Sequence, residues 1–327
     1  MRMRFAFVAL MSVIPALHGC HGAAGPRLLS LVGLAQKPIV LTHIVPYDKP
    51  AEGLVQLVNP FSRYAALNER MSRALNRPVV EDLCLPFQLS PNLQLGVAHL
   101  AMISPADFAA LAEGSFYPLA ISADERGVVA SRAKLIIPAG SKIHAVTDLR
   151  RRVVAFGPSQ DARTHTGGLM LLAEHGVART DLALEALPTL GSLKSFPDSK
   201  DVAQSVLNGS SDAGFVDERY WNALPEHEPD RTRPAKDRFL VLAETEAYPD
   251  LIVVASRVLT ESERSDIQRF LVDSDEIDSD ALRPLKVGSF APPAEDVLRT
   301  CRKLGALTPA AQMPESPAAS QRTSDGP

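Results

Sequence analysis

Cysteine is scarce in this sequence, and the scarcity excludes two classes of protein. The 327 residues include only three cysteines, Cys20, Cys84 and Cys301. Three cysteines cannot form the disulfide framework of a small secreted domain, and their spacing matches no zinc-binding pattern. The eight histidines are also scattered, without the spacing of metal ligands. We therefore expect no disulfide scaffold, no metal site and no cofactor.

The sequence also lacks the short motifs of several enzyme classes. It has no G-x-G-x-x-G after the first predicted strand, no G-K-[ST] loop and no G-x-S-x-G elbow. A Ser–His–Asp triad stays open, because its members can come from distant parts of a chain. A formal net charge of −4 gives no sign of a nucleic-acid partner.

The overall composition is that of an ordinary globular protein. Hydrophobic residues make up 46% and charged residues 22% of the chain. This length predicts about two domains, with enough residues to bury a sizeable core.

The first 20 residues have the features of an export signal. Two arginines open the chain, and an apolar run follows over 5–17 that is too short for a membrane span in the mature protein. The run ends in LHGC, which resembles the lipobox of bacterial lipoproteins, although His18 replaces the usual small residue. We predict lipidation at Cys20 and a membrane anchor; ordinary secretory cleavage near Gly19 is the alternative.

Predicted strands and helices alternate along the rest of the chain. Residues 21–36 predict a tether and residues 306–327 a disordered tail. The predicted strands are 37–45, 79–85, 95–103, 117–122, 134–138, 153–156, 182–187, 213–216, 239–243 and 251–255. The main predicted helices are 60–76, 105–111, 169–175, 200–208, 218–224, 260–272 and 294–304. This order predicts an α/β fold with parallel-rich sheets covered by helices.

The most informative stretch is 151–177, which combines a buried strand, a Gly-Pro break and a helix. Thr164, His165 and Thr166 stand just before the predicted helix 169–175. A helix N-terminus carries unpaired N–H donors and partial positive charge, so it can bind an anion. The alternative is that the threonines only cap the helix.

Three further polar residues each follow a predicted strand. They are Tyr47, Ser104 and Asp217. Open α/β sheets bind ligands outside the carboxyl ends of their strands, which makes these residues candidate ligand contacts. For Asp217 the alternative is a helix N-cap.

Several segments in order carry a resemblance to a known family. They read IVPYDKP, NPFSRYAALNERMSRALNRPV, LAMISPADF, TDLRRRVVAFGPSQDARTHTGG, SKDVAQSVLNGSSDAGFVDE and YPDLIVVASRVLTESER. Together they resemble the phosphate/phosphonate-type substrate-binding proteins of bacterial ABC transporters, which have the type II periplasmic binding protein fold. The resemblance spans about residues 38–272.

The resemblance implies two Rossmann-like lobes joined by two crossover strands, with ligand in the cleft. The crossovers would fall near 124–132 and 213–217. Lobe one would hold 36–128 and 217–305, and lobe two would hold 129–216. The protein would be a monomer on the periplasmic side of the cell envelope.

The resemblance also implies a ligand and its contacts. The family's Ser-Thr-Ser donors match Thr164, His165 and Thr166, with Gly167 following. Tyr47, Ser104 and Asp217 would reach the ligand from the other lobe or the hinge. The expected function is capture of a small oxyanion, such as phosphate, phosphite or phosphonate, for import through an ABC permease.

Departures from the family pattern leave the ligand open. Ser199 and Lys200 stand where the family often has histidine, Arg151 replaces a glycine and His99 replaces an acid. A sensory or diverged ligand-binding lipoprotein is one alternative. An enzyme on the same fold, using His165 beside Ser104, is the other.

Overall fold

The computed structural model describes residues 37–44, 60–185, 192–230, 232–273, 277 and 279–307. The predicted signal segment with Cys20, the predicted tether, Tyr47 and nearly all of the predicted tail lie outside these ranges. No helix in the described ranges is long and apolar enough to cross a membrane.

The described residues form two sheets with helices packed on them. The strands are β1 Ile39–Ile44, β2 Val79–Cys84, β3 Leu100–Ile103, β4 Phe116–Ala123, β5 Ala133–Pro138, β6 Val154–Phe156, β7 Lys194–Ser195, β8 Ala213–Asp217, β9 Phe239–Glu244, β10 Ile252–Ser256 and β11 Ser289–Ala291. The helices are α1 Pro60–Ala74, α2 Pro86–Leu95, α3 Pro105–Ala110, α4 Gly167–Glu174, α5 Ser199–Leu207, α6 Glu218–Ala223, α7 Glu261–Asp273, α8 Ser279–Leu282 and α9 Glu295–Lys303.

The first sheet has the order β11-β4-β10-β3-β1-β2. Strand β1 lies between β2 and β3, and five of its six residues are buried. Leu41 on β1 packs with Leu67 and Met71 of α1 in one core cluster, and none of the three is exposed. Burying each such side chain contributes about 1.5–3 kcal/mol, which holds α1 on this sheet.

The second sheet has the order β7-β6-β8-β5-β9. Phe156 of β6 and Phe215 of β8 lie together in its core, with ring centroids 5.3 Å apart. In both sheets some neighbours run parallel and others antiparallel. The expectation of parallel-rich sheets is therefore wrong. Strands β5 and β10, which enter a lobe from the other lobe, are antiparallel to both of their neighbours.

The chain crosses between the sheets twice. One crossing is 124–132, between β4 and β5, and the other is 245–251, between β9 and β10. The expected second crossover at 213–217 is wrong, because β8 pairs with both β5 and β6 inside the second sheet. By strand pairing, lobe two extends from 133 to 244.

The two crossings are paired with each other at one point. Ser131 and Tyr248 form an isolated antiparallel bridge, with hydrogen bonds of 3.1 Å and 2.9 Å in the two directions between their backbones. In the first sheet, both crossings are attached at the end where Ile103 lies. In the second sheet, both are attached at the end where Asp217 lies. The carboxyl ends of the parallel strands in both lobes therefore face each other.

Two local expectations differ from the structure. The predicted strand 182–187 is absent over its described part, 182–185, and β7 instead pairs with β6 at Lys194–Ser195. Helix α2 was not predicted, since it contains Pro91 and only Leu89 and Leu93 repeat at helical spacing on its buried face. Its ends nevertheless carry ordinary signals: Pro86 at the first position and Gly96 with φ 70° just beyond the last.

We predict that Cys84 and Cys301 stay reduced and unreactive in the folded protein. Both are free thiols in one buried cluster, and burial raises the pKa of each to about 12. At neutral pH an alkylating reagent should therefore label neither thiol until the protein is unfolded. Peptide mapping without reductant provides the check, and a Cys84–Cys301 cross-link would contradict the prediction.

Candidate functional site

The candidate site is built on the chain that follows β6. The helical segment after it consists of a π-helical turn, Ala162–Thr166, that continues directly into α4. We call this segment, 162–174, the site helix. An added Cβ at Gly157 would lie 2.0 Å from the Thr164 hydroxyl oxygen, so only glycine lets this turn pack under the end of β6.

The N-terminus of the site helix is capped by Asp161. Its Oδ1 accepts hydrogen bonds from the backbone N–H groups of Arg163, at 2.8 Å, and Thr164, at 3.4 Å. The N–H groups of His165 and Thr166 reach the Asp161 carbonyl, at 3.1 Å and 3.4 Å. The alternative of a threonine cap is therefore wrong, and so is the expectation of free N–H donors at this end. Asp161 caps the helix instead, and the π turn directs the next N–H groups to its carbonyl.

The three predicted donor side chains differ in their surroundings. Thr164 is only 1% exposed, and its hydroxyl has no hydrogen-bond partner among the residues that the structure describes. His165 and Thr166 are half-buried. The His165 Nδ1 lies 3.2 Å from the Gly157 carbonyl, and its ring centroid is 5.3 Å from that of Phe156.

Gly167 has a packing role. An added Cβ there would lie 2.6 Å from the ring of Tyr248 and 2.6 Å from the Ala162 carbonyl oxygen. Tyr248 belongs to the second crossing, so the absence of a side chain at Gly167 lets that crossing pack against the site helix.

Arg163 connects the site helix to both crossings. It is 7% exposed, and its guanidinium donates to the Ser131 hydroxyl at 2.9 Å and to Asp250 at 2.5 Å. It also pairs with Asp161 at 3.3 Å and Asp217 at 3.2 Å. Burial alone would lower the pKa of Arg163, but these three carboxylates raise it. The side chain is therefore a fully engaged cation.

Arg219 completes this cluster from the start of α6. It pairs with Asp217 at 3.2 Å and with Asp250 at 2.9 Å. Burial opposes the charge on Arg219, yet hydrogen bonds to the two carboxylates raise its pKa. Burial would raise the pKa of Asp250, and the two arginines lower it below its ordinary value. We call Asp161, Arg163, Asp217, Arg219 and Asp250 the interlobe ion cluster.

Asp217 shows the alternative role that the sequence left open. Its carboxylate caps α6 by accepting the Arg219 N–H at 2.7 Å, besides its two ion pairs. Ser104 likewise caps α3: its hydroxyl accepts the Asp107 N–H at 3.1 Å and donates to the Asp107 carboxylate at 2.6 Å. Burial raises the pKa of Asp107 despite these hydrogen bonds.

The structure brings the Ser104 and Thr164 segments together across the lobes. Helix α3 contacts the turn Ala162–Thr166, and Ala162 is buried in a core cluster of lobe one with Phe108. The site helix thus lies between the lobes. Within the described ranges, no group of three or more His, Cys, Asp or Glu side chains is placed to hold a metal ion.

Sequence reasoning missed four members of the interlobe ion cluster: Asp161, Arg163, Arg219 and Asp250. Only Asp161 carried a local signal, since an Asp just before a helical segment is a good N-cap. Arg163 and Arg219 each pair with an aspartate two residues earlier, but their contacts with Asp250 span 87 and 31 residues, so no local signal indicated the cluster.

The family model for the periplasmic substrate-binding proteins of ABC phosphonate transporters matches residues 59–298. The chain belongs to this family. No curated protein matched the sequence. The family supplies the substrate-binding component of a transporter, not an enzyme, so this protein works outside the cytoplasm with a small ligand and a membrane permease.

Similar solved structures share the fold at low identity. A Xanthomonas citri protein bound to ATP is 17% identical, with a TM-score of 0.59 over 83% of this chain and 96% of that one. PhnD1 of Prochlorococcus marinus, in complex with methylphosphonate, is 12% identical, with a TM-score of 0.54 over 84% and 99%. A binding-protein component of an ABC phosphonate transporter from Pseudomonas aeruginosa is 14% identical, with a TM-score of 0.51 over 83% and 86%. The predicted type II periplasmic binding protein fold is confirmed.

We predict that replacing Arg163 by methionine strongly destabilises the protein. The change leaves Asp161, Asp217 and Asp250 short of a buried partner, and breaking such a pair costs about 3–5 kcal/mol of unfolding free energy. Denaturant titration measures the loss.

The matched control is Arg126→Met. Arg126 is exposed and pairs with Asp124 at 3.1 Å, so its loss should cost about 1 kcal/mol or less. Equal stability of the two variants would show that the Arg163 contacts add nothing.

Proposed function

We propose that this protein captures a small phosphorus oxyanion between its lobes, at the start of the site helix, and delivers it unchanged to a permease. The proposal covers phosphate, phosphite and phosphonates. The observation that carries it is the Thr164 hydroxyl, a buried donor without a partner in the described part of the chain, at the point where lobe two meets lobe one.

The chemistry of the three side chains supports an oxyanion. The Thr164 and Thr166 hydroxyls can each donate one hydrogen bond, and the His165 imidazole can donate another and carry a charge when protonated. Tyr47 is proposed to contact the ligand from lobe one.

Three of the predicted contacts already have structural roles, so their side chains are not offered to the ligand: Ser104, Gly167 and Asp217. Ser104 is occupied by Asp107, Gly167 admits Tyr248, and Asp217 is held by two arginines. In the proposal these residues shape the cleft, and the direct polar contacts come from Thr164, His165 and Thr166.

The printed ligands of two similar structures support a phosphorus oxyanion. One neighbour holds methylphosphonate and another holds ATP. Both ligands present oxygens on phosphorus to a fold of the same class. Two lobes that meet at the site also suit capture by closure, a known mode for such proteins.

The enzyme alternative gains nothing from the geometry. It required the Ser104 hydroxyl to act as nucleophile with His165, but that hydroxyl donates to Asp107 at 2.6 Å. The proposal therefore includes no turnover of the ligand.

We predict a large loss of affinity when Thr164 and Thr166 are both replaced by alanine. Hydrogen bonds to charged groups contribute about 1.5–3 kcal/mol each, so the double variant should lose roughly two to four decades in Kd for the best anion. Calorimetry of the wild type with phosphate, phosphite and methylphosphonate identifies that anion first.

Thr232→Ala is the control, because Thr232 lies in an exposed loop and the hydroxyl that the change removes donates to Asp230 at 2.7 Å. Melting temperatures must show that all variants are folded. A folded double variant that binds as tightly as the wild type would place the ligand elsewhere in the cleft.

We also propose that Cys20 is lipidated and anchors the protein to a membrane. The basic start, the short apolar run and LHGC support it. Cys20→Ala should release the protein from the membrane fraction or block its processing. Mass spectrometry of the N-terminal peptide decides: absence of lipid, with unchanged fractionation, would refute the anchor.

A further inference from the structure

We infer that the end of lobe one remote from the cleft docks on a lipid bilayer while the protein awaits its ligand. The docking surface, which we call the basal patch, consists of Leu95, Tyr117, Arg257, Val258 and Arg264. This role is additional to oxyanion capture, and it rests on the proposed function only through the lipid anchor at Cys20.

The basal patch lies at the end of the first sheet that is opposite the cleft. Ala255, near the end of β10, pairs with Leu100 at the start of β3 and with Tyr117 at the start of β4. Strand β1 is parallel to β3 and begins at the same end. The crossing 124–132 follows the far end of β4, so the cleft lies at the other end of these strands.

The two aliphatic members of the basal patch are exposed neighbours. Leu95 is 76% exposed, the largest value among the large hydrophobic side chains of the described residues, and Val258 is 50% exposed. They meet at Gly96, where an added Cβ would lie 2.8 Å from the Val258 side chain. Residues 83–98 include no charged side chain. Single exposed apolar residues are ordinary, whereas adjacent ones indicate an interaction surface.

An aromatic ring and two arginines border this aliphatic pair. The Cζ atoms of Arg264 and Arg257 lie 3.9 Å and 5.6 Å from the centroid of the Tyr117 ring. Arg257 is exposed and has no carboxylate partner among the described residues. Surfaces that bind membranes combine inserted aliphatic side chains with amphipathic rings and with long cations that reach lipid headgroups. The basal patch has all three components.

Acidic side chains at the same end of the sheet limit the electrostatic part of docking. Glu113 and Glu261 are exposed there, and Glu263 pairs with Arg77 at 2.5 Å. Lys37 is exposed, and no described carboxylate pairs with it. Insertion of the aliphatic side chains should therefore contribute more than attraction to anionic lipid, and neutral vesicles should bind nearly as well as anionic ones.

The position of the proposed anchor makes a bilayer the expected occupant. The described chain begins at Lys37, which precedes β1 at the same end of the sheet as the basal patch. Sixteen residues, 21–36, separate Lys37 from Cys20. A flexible chain of that length spans about 20–25 Å, so a lipid on Cys20 would keep the patch near the membrane. Tethering raises the effective concentration to about the millimolar range, so even weak docking becomes populated.

Docking through the basal patch would fix the orientation of lobe one. Its cleft end would point away from the bilayer, toward ligand in solution. Because the cleft must face a permease during delivery, the patch would have to leave the bilayer first. Docking and delivery would therefore compete with each other.

Site-specific labelling of the full lipidated chain tests the docking. Cys84 and Cys301 are buried, and lipid would block Cys20, so a thiol-reactive fluorophore attaches only to an introduced cysteine. Val258→Cys reports on the basal patch. Leu240→Cys is the matched control, because Leu240 is 51% exposed on β9, at an edge of the second sheet. In phosphatidylethanolamine–phosphatidylglycerol vesicles with a quencher in the acyl chains, we expect strong quenching of the first label and little of the second.

A further substitution tests the aliphatic contribution. Leu95→Asp, added to the Val258→Cys chain, should lower the ratio of docked to undocked protein roughly ten- to a hundredfold, because a carboxylate resists insertion into the bilayer. Leu184→Asp changes an exposed residue outside the basal patch and should leave the quenching unchanged. Melting temperatures must show that every variant is folded.

The outcomes separate this inference from the proposed function. Equal quenching of the two labels would overturn the inference, and so would quenching that Leu95→Asp leaves unchanged. A label at 258 that is shielded without vesicles, together with a dimer in sedimentation, would assign the patch to a second copy and overturn it too.

The anchor and the ligand are tested independently of the patch. If Cys20 carries no lipid, the measurement is repeated with Cys20→Ala and added vesicles. Quenching at 258 would then keep the inference while the anchor fails, and its absence would refute both. Oxyanion affinity, measured by calorimetry, does not depend on any of these results.

Discussion

The buried guanidinium of Arg163 is the constraint on which the site depends. A cation that is 7% exposed must be surrounded by acceptors, and here they come from the helix cap, strand β8 and both crossings. The same contacts orient Asp161, which in turn caps the site helix and places the Thr164 hydroxyl. Pairing of one charge thus ties the start of the site helix, the proposed ligand-binding end of lobe two, to the joint between the lobes.

Local chemistry predicted strand β6 and the turn that follows it, but not where the next helix begins. The run VVAF and the Gly-Pro break placed Thr164–Thr166 correctly after β6. Composition could not decide between an Asp161 cap and a threonine cap, because both residue types cap well and the π turn gives no periodic signal. Helix α2 was missed for a related reason, since Pro91 breaks the pattern although Pro86 and Gly96 mark its ends.

Long-range pairing accounts for the remaining errors. Alternating strands and helices predicted an α/β protein, and the family resemblance supplied two lobes, but neither showed which sheet β8 and β9 join. The second crossing was therefore expected at 213–217 instead of 245–251. Arg163 and Asp250 are 87 residues apart, so no window of sequence contains their contact.

The bridge between Ser131 and Tyr248 has a mechanical consequence. Because the two crossings are hydrogen-bonded to each other at one point, they cannot slide past each other. The motions open to the lobes are then a bend and a twist about that point. The pivot lies beside the site helix, because Tyr248 packs on Gly167 and Ser131 bonds Arg163. Because the joint lies beside the proposed site, a small displacement there is amplified toward the outer rim of each lobe.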